Sequence, residues 1–511
     1  MKPFILLAMV LMTFVLACTS NDQSEGKNDL IASKTGEELA KIYCINCHIY
    51  PEPDFLPKDT WENYMLPRMG YVLGIYPSDS VRNDLIEKGA GGQIVEAANI
   101  FPKEPLIDEA AWEKIQAFYL AEAPETPAAI PPREIKKGLS QFKVRIPDYK
   151  LSPPSTTLVR FTDRKTIQVG DALTQSFYEF DQNLNLLGAA KTREGAVWVE
   201  ENPRDMLITV MGSFSPTDAP SGLLLGLPKQ GGKAGIILDS LQRPVHSAYG
   251  DLNQDGLMDI IVCEFGKWTG GLSLWLNSKE NGFQRQYLRK TAGATKAYIE
   301  DMNKDGRPDV VALFGQSDEG ISIFYNEGNG TFKEDKVLRF HPSYGSAFFN
   351  LMDFNKDGAL DFVYCNGDNA DYKPFFKDYH GIRVFLNDGN NQFSESFFYQ
   401  LNGAYNAIPR DFDQDGDIDI AAISFFPDFH NKQEESIVYL ENKGDLTFEA
   451  RTIDDPTLGR WIVMDAADYD EDGDEDLIVG ALTFEVVPKG NFLEKWVNGG
   501  IPFIVLENTL K

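Results

Sequence analysis

Two groups of residues are spaced for specific chemistry. The first is Cys44-Ile45-Asn46-Cys47-His48. Two thiols three positions apart stand on one turn of chain, with an imidazole directly beside them. This C-x-x-C-H arrangement is the haem c attachment motif: the thiols reach the two vinyl groups of one haem, and the histidine turns its ring to the iron. A bare C-x-x-C would serve redox or zinc chemistry equally well, and the added histidine selects haem. The second group is a loop that occurs five times: Asp251, Asn253, Asp255, Asp259; Asp301, Asn303, Asp305, Asp309; Asp353, Asn355, Asp357, Asp361; Asp411, Asp413, Asp415, Asp419; and Asp468, Asp470, Asp472, Asp476. Its pattern is D-x-[DN]-x-D-G-x-x-D. Oxygens at positions 1, 3, 5 and 9, with the carbonyl of position 7, would surround one cation, and glycine at position 6 permits the turn. An all-oxygen set selects Ca²⁺ over softer metals. About five Ca²⁺ are therefore expected, which would bring the formal charge from −29 to about −19.

The iron also needs a sixth ligand. His48 is the only histidine before residue 150, so two histidines from this part of the chain cannot flank it. Met65 and Met69 lie in Trp61-Glu-Asn-Tyr-Met65-Leu-Pro-Arg-Met69-Gly70. The Leu-Pro-x-Met-Gly context of Met69 resembles the methionine loop of class I cytochromes c, and that resemblance names Met69 as the ligand. Met65 one turn earlier and a five-coordinate iron remain alternatives, because the His-to-Met spacing is short for that family. Methionine ligation would raise the potential and suit electron transfer.

An EF-hand loop also begins with alternating acidic residues, but it needs a glutamate at position 12. Here position 12 is Val262, Ala312, Tyr364, Ala422 or Val479, and β-branched apolar residues follow position 9. These loops join strands. They begin at Asp251, Asp301, Asp353, Asp411 and Asp468, and so regular a recurrence signals blades or a solenoid. The period, the loop and the strand after it resemble FG-GAP/VCBS repeats, the blades of integrin-type propellers. Each copy also has a third strand ending in asparagine, at Asn277, Asn326, Asn387, Asn442 and Asn508.

These groups must be positioned by two different architectures. A small all-α, cytochrome c-like domain over residues 34–121 would hold the haem, with helical patterns at 36–43 and 109–120. Residues 122–137, rich in Pro and Ala, form a linker. An all-β seven-bladed propeller would fill 138–511, at about 53 residues per blade, with two degenerate blades before residue 242. The strand Phe142 to Ile146 is expected to complete the last blade, which otherwise lacks its fourth strand, so that no edge stays open. Long aromatic loops at 265–268, 368–380, 425–432 and 483–498 would form the face opposite the acidic loops, and the inter-blade residues His246, Lys296, Tyr405, Arg460 and Trp461 would line the central opening. That face suits a sugar or another polar small molecule.

The chain opens with Met1-Lys2 and an apolar run from Phe4 to Ala17, the pattern of a secretory signal over 1–17 and too short to span a bilayer. Val15-Leu-Ala-Cys18 resembles the bacterial lipoprotein box, which implies lipidation of Cys18, with 18–33 as a flexible tether. The expected location is outside the cytoplasm, anchored to a bacterial membrane by lipid. A net charge of −29 excludes nucleic acid as a partner. Cys263 and Cys365 read as buried thiols. Electron transfer to a redox protein or a membrane electron carrier is the leading function, with the propeller as docking module. A haem-coupled oxidoreductase and a carbohydrate-binding surface lipoprotein are the alternatives.

Overall fold

The computed structural model describes residues 33–510 except 132, 203, 231 and 485. The expected signal segment, Cys18 and the tether up to residue 32 lie outside the described residues. Among those described, no helix is long and apolar enough to cross a membrane.

The chain starts with helices. Thr35 opens the first, Gly36–Tyr43, through a capping box: its hydroxyl accepts from the Glu38 amide at 3.2 Å, and the Glu38 carboxylate accepts from the Thr35 amide at 2.8 Å. Lys58–Thr60 runs through a π turn, Trp61–Met65, into Leu66–Val72, and Glu109–Glu122 closes the segment. Leu39, Ala40, Trp61, Leu66, Trp112 and Ile115 form its core. Gly36 lets the first and last helices meet, since a Cβ there would lie 2.2 Å from the Lys114 carbonyl oxygen.

Seven sheets follow, and apart from the two N-terminal strands added to blades 6 and 7, each reads in chain order from the inner strand outward. They form a seven-bladed β-propeller. Blades 1 and 2 span Thr156 to Lys191 and Ala196 to Leu241, and blades 3 to 7 begin at Pro244, Ala294, Ser346, Ala404 and Trp461. The second strands of blades 3 to 7, such as Asp259–Glu264 and Asp309–Phe314, are buried at every position because neighbouring blades cover both faces. Outer strands such as Thr331–Arg339 alternate between partly buried and exposed over their first half. Cys263 and Cys365 are buried free thiols within second strands.

The ring closes as the sequence implies. Phe142–Arg145 pairs antiparallel with Phe503–Asn508, Phe142 opposite Asn508, and becomes the outer strand of blade 7. Just before it, Lys136–Lys137 adds a parallel edge to blade 6. One long loop differs from expectation: residues 483–498 contain most of a helix, Phe492–Gly499, whose Trp496 is buried and donates to the Thr457 carbonyl at 3.0 Å.

Because the strands of each blade alternate in direction, the acidic loops share one face of the ring. The second-to-third strand loops and the blade-to-blade connections share the other. The helical segment sits on that second face, across blades 2 to 5. Glu87 accepts from the Thr217 hydroxyl at 2.8 Å and the Asp218 amide at 3.2 Å, Phe101 meets Trp268 edge-on at 5.0 Å, and Tyr372 and Phe375 pack onto the helical core. The face read from sequence as open for a ligand is thus partly covered by the chain's own N-terminal part.

Ring closure gives a direct test. Phe142 is 6% exposed and packs edge-on against Phe412 and Tyr439. Phe142→Ala should cost about 3–5 kcal/mol, read as a lower melting temperature of the β-sheet circular dichroism signal. An unchanged melting curve would show that this strand does not hold the ring shut.

Candidate functional site

The Cys44–Asn46 turn continues directly from the capped helix Gly36–Tyr43. Asn46 stops the helix by donating its side-chain amide to the Ile42 and Tyr43 carbonyls, both at 3.1 Å. Cys44 points into the helical core, where burial raises its thiol to about 11, and Cys47 is exposed. His48 is half-buried, and burial lowers its pKa. Its Nδ1 lies 2.7 Å from the Ile49 carbonyl, so this nitrogen carries the proton and donates. Nε2 is left with the lone pair. A metal-binding histidine takes this tautomer, fixed by a backbone acceptor on the far nitrogen. The residues present therefore fit a covalent haem.

The chain after His48 is held by two long-range hydrogen bonds, from Tyr119 Oη to the Pro51 carbonyl and from Trp61 Nε1 to the Pro53 carbonyl, both 2.8 Å. They deliver Phe55 to the propeller. There its ring stacks on His341 with centroids 3.8 Å apart and planes 8° from parallel, and its carbonyl accepts from Tyr379 Oη at 3.2 Å. Met65 and Met69 are both partly buried against the same helical core, so burial does not separate them. Met69 lies inside the helix Leu66–Val72 rather than in a loop, because Pro67 occupies the first turn of that helix, where proline fits.

The five acidic loops share one hydrogen-bond plan. Position 1 accepts from the amide of position 6 in every loop and, in all but blade 6, from that of position 5, as in Asp301 with Asp305 at 3.0 Å and Gly306 at 2.8 Å. Gly306 has φ +85° with open space around it, so glycine is needed there for its backbone angle. Position 9 is fully buried in every loop (Asp259, Asp309, Asp361, Asp419 and Asp476). One of its oxygens accepts from the amide of position 2, as Asp309 does from Met302 at 3.0 Å. The other accepts from the amide of the asparagine that ends the third strand, Asn326 at 2.8 Å. The same pair recurs in the other four blades.

The remaining oxygens decide whether a cation fits. In blade 6, Asp411, Asp413 and Asp415 bring carboxylate oxygens within 4.8 Å of one another, as do Asp468, Asp470 and Asp476 in blade 7. Asp411 Oδ1 is buried with no hydrogen-bond partner. Burial first, then like charge, raises Asp419 to about 7 and Asp476 to about 8. Such a cluster fits a cation. In blades 3 to 5 the asparagine amide at position 3 donates to the position 5 carboxylate, at 3.2, 3.0 and 2.8 Å. Binding a cation there would require the amide to turn over and give up the bond its oxygen now accepts from the position 5 amide.

Two features were not read from the sequence. Asp474, at position 7 of the last loop, buries both carboxylate oxygens without a partner, and its pKa rises to about 6. The alternation of acids through 468–476 was the available signal. Position 4 also has a role. Gln254 donates to the Gly306 carbonyl of the next loop at 2.9 Å, Lys304 to Gly358 at 3.4 Å, Lys356 to Gly416, and Gln414 to Gly473 at 2.6 Å. Glu471 pairs with Lys165 of blade 1. Each loop thus grips its neighbour around the ring. Spacing alone did not reveal this, since the partner lies a whole blade away.

On the opposite face, the loops at 265–268 and 368–380 meet the helical segment through Trp268, Tyr372 and Phe375. His246, Lys296 and Trp461 are buried in or beside inner strands, where burial lowers Lys296 to about 7, and Arg460 is buried against the Phe425 ring. Tyr405 borders a cavity of about 60 Å³ that Asp368 and Asp371 also line.

The profile of the FG-GAP-like repeat matches residues 251–312, 301–364 and 411–479, which together take in all five acidic loops. No curated protein matches the chain. Among solved structures, a streptogramin B lyase aligns at 13% identity and TM-score 0.46, covering 72% of this chain and 98% of its own. The dihydro-haem d1 dehydrogenase NirN aligns at 12% identity and TM-score 0.37, over 89% of this chain and 87% of its own. A periplasmic gluconolactonase from Pseudomonas aeruginosa aligns at 10% identity and TM-score 0.40, over 60% and 94%. Likenesses this distant carry no functional argument. The chain carries FG-GAP-like repeats on a seven-bladed β-propeller.

Proposed function

We propose that this protein is an exported, lipid-anchored c-type cytochrome that passes electrons through one covalent haem, with a calcium-stabilised propeller as its docking or ligand-binding module. Cys44 and Cys47 would hold the haem and His48 would ligate its iron. The anchor would be Cys18, and the partner a redox protein or a membrane electron carrier. The observation that carries this reading is the fixed tautomer of His48, with Nε2 kept free beside two thiols in C-x-x-C-H spacing. A histidine serving only as packing has no need of that arrangement. The bound haem would supply a one-electron couple. The chain's part is to orient His48 through Ile49 and to shield one side of the site with Phe55 and the helical core. Co-expressed with a haem maturation system, the Cys44→Ser, Cys47→Ser double variant should lose haem staining on a denaturing gel. Staining that persists would overturn the assignment.

Calcium is the second part of the proposal. A cation held by the native loops alone adds about 2.7 kcal/mol per site at a hundredfold excess over its dissociation constant. Two variants separate the metal from the scaffold. Asp305→Ala removes a position 5 carboxylate that lies at the surface, and should lower the melting temperature in calcium but hardly at all in EGTA. Asp309→Ala removes the buried double acceptor and should destabilise in both, by about 1–3 kcal/mol for each amide left without a partner. Equal melting curves for the wild type in calcium and in chelator would contradict a calcium site.

The buried carboxyls also set a pH dependence. Asp419 and Asp476 hold their protons up to about 7 and about 8 in the folded chain, against about 3.9 unfolded. Over that interval the native state binds more protons than the unfolded state, so stability falls as pH rises. In EGTA the propeller should lose stability progressively from about pH 4 to pH 8, and saturating calcium should flatten the loss. Denaturant unfolding across that range checks it, and a chelated protein that gains stability with rising pH would refute it.

A further inference from the structure

Three buried histidines of the propeller leave a ring nitrogen without a hydrogen-bond partner: His246 Nδ1, His341 Nε2 and His380 Nε2. Their surroundings differ. His246 stands on an inner strand against Trp198, with centroids 4.3 Å apart. His380 packs edge-on against Tyr379. Of the three, His341 is the one that meets the segment following His48. The Phe55 ring lies flat on it at 3.8 Å, and its Nε2 is 3.7 Å from the Glu52 carboxylate, too far for a hydrogen bond. His48 is close enough to act on the His341 ring electrostatically, and Asp318 and Arg339 of the same blade act on His48 in turn. His341 is 4% exposed, so water cannot readily satisfy its open nitrogen.

We propose that His341, supplied by the propeller, would be the second protein ligand, with His48, to the iron of a haem attached through Cys44 and Cys47. This rests on the haem reading above and replaces the methionine expected from the sequence. His341 Nδ1 lies 2.7 Å from the Ser343 hydroxyl, which accepts the ring proton when Nε2 carries the lone pair. The Ser343 amide donates to the same nitrogen at 3.2 Å, so binding iron through Nε2 would move the ring proton to Nδ1 and exchange that bond for the one to the hydroxyl. Met65 and Met69 need no such explanation, since thioethers fill irregular gaps in an apolar core. Two imidazoles would set a lower potential than a His/Met pair, and the helical segment could complete its haem site only while docked on blades 4 and 5.

The test uses the full chain, matured with haem, oxidised, and read by electron paramagnetic resonance and near-infrared absorption. The wild type should be low-spin without the weak sulfur-to-iron band. His341→Ala should keep its haem stain and its circular dichroism but become high-spin, and added imidazole should restore the low-spin signal. His341→Met should be low-spin and gain the sulfur band. Met65→Ala and Met69→Ala should match the wild type. A sulfur band in the wild type, or an unchanged low-spin signal in His341→Ala, overturns the proposal. A wild type without covalent haem instead overturns the reading beneath it.

Discussion

A buried carboxylate recurs at the same place in five successive blades. Asp259, Asp309, Asp361, Asp419 and Asp476 are fully buried, and each ties the exit of the first strand to the end of the third through two backbone amides. The asparagine ending the third strand completes the tie by donating its side-chain amide to the carbonyl just before the aspartate, as Asn442 does to Ile418 at 3.0 Å. An ionised group out of water is costly unless it is paired and hydrogen-bonded. Two amides satisfy part of that demand. Further carboxylates at positions 1 and 5, and at position 3 in the last two loops, add charge beside it. We read the loop as a site for calcium for this reason: a divalent ion removes the repulsion and leaves the staple in place.

This arrangement divides the propeller into two faces with different work. One carries the acidic loops, linked around the ring by the side chains at position 4. The other is free of that constraint and accepts long aromatic insertions. The helical segment uses it, with Glu87 set against Thr217 and Asp218, Phe101 against Trp268, and Phe55 against His341. Asp218 also accepts from the Trp268 and Thr269 amides at 2.9 and 2.7 Å, so the loop that receives Glu87 is braced by the next blade.

What the sequence revealed was local or periodic. The D-x-[DN]-x-D-G-x-x-D pattern located the first-to-second strand turns because glycine and the Asx side chains must fall at fixed positions in so tight a loop. The last blade's missing fourth strand located the closing strand at Phe142, because a closed ring leaves no open edge. What it did not reveal was relational. Position 4 grips the loop of the next blade, which nothing in its own loop announces. The aromatic stretch at 483–498 hides the start of a helix. His341 stands far along the chain from His48, in an ordinary His-Pro-Ser, and only the packing of the helical segment on the propeller brings it to Phe55. Local resemblance led to Met69, whereas a buried, unpaired nitrogen points to His341.

One covalent haem and acidic loops partly neutralised by calcium would together fix which metals each chain holds. Elemental analysis of the purified, haem-matured protein after exhaustive dialysis against buffer containing a small excess of calcium measures this directly. The account predicts one iron and close to five calcium ions per chain, with calcium falling toward zero and iron unchanged after EGTA. Iron well below one, or calcium no higher than in a protein without acidic loops, would contradict it.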